Sequence, residues 1–208
     1  MADPIRRSPL HPRLRISSDD GGVHLRERRF LGKLILRGDY EAVKGGISEC
    51  LKLDLPQTSP NSVFGDKADI LWLAPDEWMI VTEPEAEREL AAQLGEALDG
   101  IHHQIADVTD YYTTIQLSGG PAREILMKLT MLDVHSRAFK AGEVRGTMLM
   151  HCQATLLQRL NDDAEDGPAF DIFVRWSMAD YLWCLIAECG REFGLPAQKP
   201  ITGERLVI

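Results

Sequence analysis

No stretch of this chain stays apolar for the roughly 20 residues that a membrane-crossing helix needs. Residues 1–15 hold Arg6, Arg7, Arg13 and Arg15 but no apolar centre of a secretory leader. These absences predict a cytoplasmic protein that makes no use of a membrane. Cysteine is sparse, and the four residues, Cys50, Cys152, Cys184 and Cys189, form no C-x-x-C pair. Structural zinc needs thiolates or imidazoles at short fixed spacing, and a disulfide framework needs an oxidising compartment. The thiols are therefore read as free and buried. Among the six histidines only His102 and His103 are neighbours. On a strand they would point to opposite faces and could not share one ion.

Catalytic signatures are missing too. There is no G-x-S-x-G elbow, no P-loop and no H-E-x-x-H. No G-x-G-x-x-G follows a strand, which argues against dinucleotide binding within this chain. Asp107 and Asp110 lie between an apolar segment and Tyr111-Tyr112, where carboxylates serve as turn formers. On this reading no residue is assigned as catalytic, cofactor-binding or metal-binding. A net charge of −9 without a basic stripe interleaved with aromatics excludes nucleic acid as a partner.

What is present describes a folded domain. An apolar fraction of 44% and a charged fraction of 26% suit one sizeable core. The charge is uneven: residues 1–29 hold seven arginines against Asp3, Asp19, Asp20 and Glu27. With Pro4, Pro9 and Pro12 blocking a helix and a turn-rich stretch over 17–22, this segment predicts an extended basic arm. A single domain is then expected over 30–208, with order beginning near Phe30.

Within that domain strands and helices alternate. Leu31 to Arg37 predicts a strand, followed by a helix capped by Asp39 with Val43, Ile47, Cys50 and Leu51 on one face. Ile70 to Val81 predicts a hairpin turning at Ala74-Pro75-Asp76-Glu77. A helix starting at Pro84 and a strand over 101–109 follow. The pattern then restarts with the alternating Thr113, Ile115 and Leu117, a helix after Pro121, two strands over 144–159 turning near Cys152, and a strand through Phe170, Ile172 and Val174. Ser177 and Asp180 predict a capping box for a last helix that ends at Gly194 and Pro196. The two halves, about 30–109 and 110–195, therefore predict an α+β fold of duplicated ferredoxin-like units, each strand–helix–strand–strand–helix–strand. The other prominent motif is the tryptophan-rich hairpin around Trp72 and Trp78, either a core element or a rim for a partner or flat ligand.

Several motifs carry a family resemblance. Leu71-Trp-Leu-Ala-Pro-Asp-Glu-Trp78, Asp107-Val-Thr-Asp110, Leu117-Ser-Gly-Gly-Pro121-Ala-Arg123, Leu132-Asp-Val-His135 and Phe170 to Ser177 resemble, in that order, the gamma subunit of heterotetrameric sarcosine oxidase. The resemblance implies a single domain like the folate-binding domain of aminomethyltransferase. It also implies a bacterial complex that demethylates sarcosine to glycine with release of hydrogen peroxide, passing the methyl carbon to tetrahydrofolate. The partners implied are alpha, beta and delta subunits, which hold the FAD, FMN, NAD, tetrahydrofolate and zinc. This chain is then an accessory subunit without a cofactor or activity of its own. The expected partner-facing residues are Arg6, Arg7, Ser8, Pro9, Leu10, Arg13 and Arg15 of the arm, with Trp72 and Trp78. Where aminomethyltransferases place an Asp-Asp pair this chain reads Gly65-Asp66-Lys67-Ala68-Asp69, so Asp69 does not inherit the catalytic role. The alternative is a stand-alone tetrahydrofolate-binding one-carbon transfer protein.

Overall fold

The computed structural model describes residues 6–58 and 61–201. In chain order, strands β1 (Ile16–Ser17) and β2 (Val23–Arg28) come first. A first unit follows: β3 (Gly32–Gly38), α1 (Tyr40–Leu51), β4 (Ser62–Val63), β5 (Ala68–Ala74), β6 (Glu77–Thr82), α2 (Glu87–Ala97) and β7 (His103–Asp107). The second unit comprises β8 (Tyr112–Gly119), α3 (Ala122–Met127), β9 (Val144–Leu149), β10 (Cys152–Leu160), β11 (Ala169–Arg175) and α4 (Ala179–Cys189).

The two sheets have matching orders, β4-β5-β6-β3-β7 and β9-β10-β11-β8-β2-β1. β3 and β8 hold the same place, each beside the second strand of its hairpin, and each pairs antiparallel with a further strand on its other side. In the first unit that strand, β7, comes from the unit's own end. In the second it is β2, from the start of the chain. The duplicated ferredoxin-like units are thus present, but the second is not contained in 110–195.

The expectation of an extended arm over 1–29 is corrected by the same observation. Pro4 lies outside the described residues. From Ser8 onward the segment is packed: Leu10, Val23 and Leu25 are fully buried in the layer beneath α3 and α4. An exposed β8 edge would leave a row of backbone groups unpaired, and β2 covers it from Val23↔Gly119 to Arg28↔Thr114.

Apolar residues form three layers. Leu34, Leu36, Ile70, Trp78 and Ile80 face α1 and α2, while Ile115, Leu117, Phe170, Ile172 and Val174 face α3 and α4. Between the sheets lie Leu71, Met79, Val81, Leu157 and Phe173. Central strands β6 and β11 are consequently apolar on both faces and read as continuous runs rather than alternations.

Local signals explain most element ends. Asp39 accepts a hydrogen bond from Ala42 N, as a cap should. α2 starts later than Pro84 because Glu85 takes a left-handed conformation, φ 70°. The capping box at Ser177 does not form: Trp176–Met178 is a single tight turn, and no side chain caps α4. Asp180 instead accepts from the Arg13 guanidinium on one oxygen and from Ile201 N on the other.

Gly119 lies where the backbone entering β2 comes close to β8. Its φ is +111°, and a Cβ there would lie 2.0 Å from Gly22 O, which is backbone and cannot swing away. Gly119→Ala is expected to lower stability by about 2–3 kcal/mol through strain and overlap, measured as a reduced urea midpoint.

Candidate functional site

The N-terminal segment is fastened by side chains at each turn. Ser8 Oγ donates to Glu27 Oε2 at 2.6 Å, and Thr113 Oγ1 donates to Glu27 Oε1 at 2.6 Å. Arg13 meets Asp180 Oδ1 through Nη2 at 2.5 Å. Arg6 pairs with Asp110 at 2.7 Å and stacks over Phe30. Of the residues expected to face a partner, Arg7 and Arg15 are exposed and Pro9 is half-buried. Ser8 and Leu10 are buried within the chain itself, so they hold the fold and cannot present a surface.

The tryptophan hairpin is also interior. Trp72 and Trp78 are cross-strand partners on the face turned to α1 and α2. Trp78 is fully buried, and its Nε1 donates to Pro56 O at 2.7 Å. A partner-facing role for Trp78 is therefore corrected to a core role. Trp72 is half-buried with its Nε1 shut from solvent.

The strongest concentration of charge lies between the sheets. Asp171, on β11, is completely buried. Its Oδ2 receives Arg28 Nη1 at 2.5 Å and Arg159 Nε at 2.6 Å, and its Oδ1 receives Gln116 Nε2 at 2.8 Å. Arg159 reaches across to Asp69 on β5 at 2.7 Å and so ties the two sheets together. Asp69, the acid in the region of the aminomethyltransferase pair, is thus engaged by a guanidinium. Gln116 Oε1 accepts from Arg26 Nε at 2.8 Å. This network borders a cavity of about 540 Å3 whose wall includes Arg15, His24, Arg26, Arg28, Arg159 and Asp166. Sequence reasoning missed it, although Val23 and Leu25 alternate with Arg26 and Arg28 as a strand requires, and Asp171 interrupts an apolar run.

Lys33 is a second buried charge, 1% exposed, whose Nζ donates to Leu31 O at 2.7 Å. Burial, and then the positive charge of Arg6, push its ammonium down to about 8 from 10.5. Below pH 8 folded and unfolded chains both carry this proton, and its cost is full. Between pH 8 and 10.5 the unfolded chain holds the proton that the folded one has lost, so stability rises with pH. The shift corresponds to about 3 kcal/mol. Lys33→Met is expected to stabilise the protein by about 2 kcal/mol at pH 7, since it gives up one hydrogen bond, with the gain vanishing above pH 10.5. Denaturant titrations of both proteins across this range check it.

Elsewhere no group of three or more His, Cys, Asp or Glu among the described residues is arranged to hold a metal ion. Asp107 Oδ1 accepts from Thr109 N at 2.9 Å, the turn-forming role expected of it. The exposed apolar surface includes Met127 and Met131 at the end of α3 and Met148 and Met150 at the β9–β10 turn. These segments adjoin, with Met150 N donating to Leu129 O and Thr130 Oγ1 bonded to Thr147 Oγ1.

Comparison with known proteins decides the family. Residues 37–192 match the model of the family described as sarcosine oxidase, gamma subunit family. The chain belongs to the sarcosine oxidase gamma subunit family. A gamma subunit of sarcosine oxidase from Corynebacterium sp. (strain P-1) is 34% identical to this gamma-family chain over 146 residues, 65% of this chain and 68% of that one. Among solved structures, the heterotetrameric sarcosine oxidase from Corynebacterium sp. U-96 contains a chain that superposes with a TM-score of 0.80. That match covers 94% of this chain and all of the other at 22% identity. The glycine cleavage system aminomethyltransferase T from Bartonella henselae matches at a TM-score of 0.60 and 13% identity, over 86% of this chain and 47% of that protein. The aminomethyltransferase-like fold expected of the gamma family is therefore the fold observed.

Proposed function

We propose that this chain is a non-catalytic subunit of a heterotetrameric sarcosine oxidase, assembling with alpha, beta and delta subunits and carrying no cofactor of its own. The family match across residues 37–192 carries this reading and favours it over a stand-alone one-carbon transfer protein. The stretch Gly65-Asp66-Lys67-Ala68-Asp69 supports it, because it lacks the paired acids of the aminomethyltransferases and its Asp69 is engaged by Arg159. Among the described residues no helix is long and apolar enough to cross a membrane.

In this reading the exposed methionine corner faces a larger subunit, since methionine adapts its shape to a partner surface. Co-expression with the larger subunits is expected to return a yellow complex that oxidises sarcosine, while the chain purified alone is colourless. Stoichiometric flavin on the isolated chain, or failure to co-purify, would overturn the proposal. Met131→Asp combined with Met148→Asp is expected to cut recovery of the larger subunits about tenfold, the scale of losing one important interface residue.

A further inference from the structure

The cavity beside Asp171 has a wall whose charge runs against the rest of the molecule. The protein as a whole carries −9, yet Arg15, Arg26, Arg28 and Arg159 line this one concavity together with a single carboxylate, Asp166. Arg28 and Arg159 are neutralised by Asp171, whose two oxygens are engaged by three donors, together with Asp69, which also pairs with Arg159. No carboxylate among the described residues lies within ion-pair distance of Arg15 or Arg26; the one side-chain acceptor bound to Arg26 is the neutral Gln116. Arg159 Nη2 also has no acceptor among the described residues.

Of the four guanidinia, those of Arg26, Arg28 and Arg159 are held in place, which separates this site from a loose basic surface. Arg26 and Arg28 lie two residues apart on β2 and share a face of the sheet, and Arg159 is on β10. Behind them Asp171 orients Arg28 and Arg159 directly and Arg26 through Gln116, so one buried carboxylate sets three forks. Planar guanidinia fixed on strands and backed by a bonded carboxylate suit bidentate recognition of an oxyanion. A volume of about 540 Å3 lies within the size of small-molecule sites.

We propose that this cavity binds a small, multiply charged oxyanion, a dicarboxylate or a phosphate compound, with Arg15 and Arg26 as its principal contacts. The inference does not depend on the assembly proposed above, because it is read on this chain alone. Succinate and inorganic phosphate serve as probes, titrated into the full chain at low ionic strength and followed by calorimetry and by the rise in Tm. Saturable binding of at least one probe is expected, weakened about tenfold by Arg26→Gln and further by adding Arg15→Gln. Neither substitution touches the carboxylate that anchors the network, so both variants are expected to fold, and their Tm without probe verifies it. Affinity should also fall as sodium chloride is raised. A response to both probes no larger than that to sodium chloride at equal ionic strength, or one undiminished in the double variant, overturns the proposal.

Discussion

A chain beginning at Phe30 is expected not to fold. Its missing segment reads as a separable basic arm, and on that view truncation would cost nothing. In the structure truncation removes β2, strips the β8 edge of its ladder and uncovers the layer beneath α3 and α4. Leu10, Val23 and Leu25 are each fully buried, and at about 1.5–3 kcal/mol apiece their loss approaches the whole stability of a typical domain, about 5–15 kcal/mol. Circular dichroism and a thermal scan of the truncated chain check this. A cooperative transition close to that of the full chain would refute the strand assignment. Deleting only residues 1–7 leaves Ser8 and Leu10 in place and is expected to change the Tm little.

Asp171→Ala is expected to cost about 3–5 kcal/mol. The reason is an asymmetry of burial. Removing the carboxylate leaves Arg28 and Arg159 between the sheets with fewer acceptors, and an uncompensated buried charge costs far more than the intact pair contributes. The exposed pair Arg37–Asp76, at 3.0 Å, provides the contrast. There Asp76→Ala is expected to shift stability by no more than about 0.5 kcal/mol, since water screens both partners. Urea midpoints for the two variants measured side by side decide between these magnitudes. Equal small losses would mean that the network is well solvated.

The candidate site was only partly legible in the residues. The Asp107 turn and the core role open to the tryptophan hairpin follow from local chemistry, because both depend on neighbours in the chain. The Asp171 network does not, since its members come from β2, β5, β8, β10 and β11. In the sequence Arg26 and Arg28 belong to an extended basic arm, because arginine ordinarily marks surface. Here an open cavity and a buried carboxylate place them on the inner face of a sheet, Arg26 exposed and Arg28 half-buried. The capping box at Ser177 failed for a related reason: Arg13, distant in the chain, claims Asp180.

By itself the sequence determined the periodic elements, the duplication of a strand–helix–strand–strand–helix pattern and the family, since these rest on local propensity, burial period and motif order. It also determined that no local catalytic motif is present. Only the tertiary structure decided which strand completes the second unit. The edge of β8 needs hydrogen-bond partners and an apolar cover but does not specify where in the chain they originate, and the N-terminal segment supplies both. That choice placed Arg26 and Arg28 beside Arg159 and Asp171, so the charge that reads as a basic arm becomes the wall of a cavity.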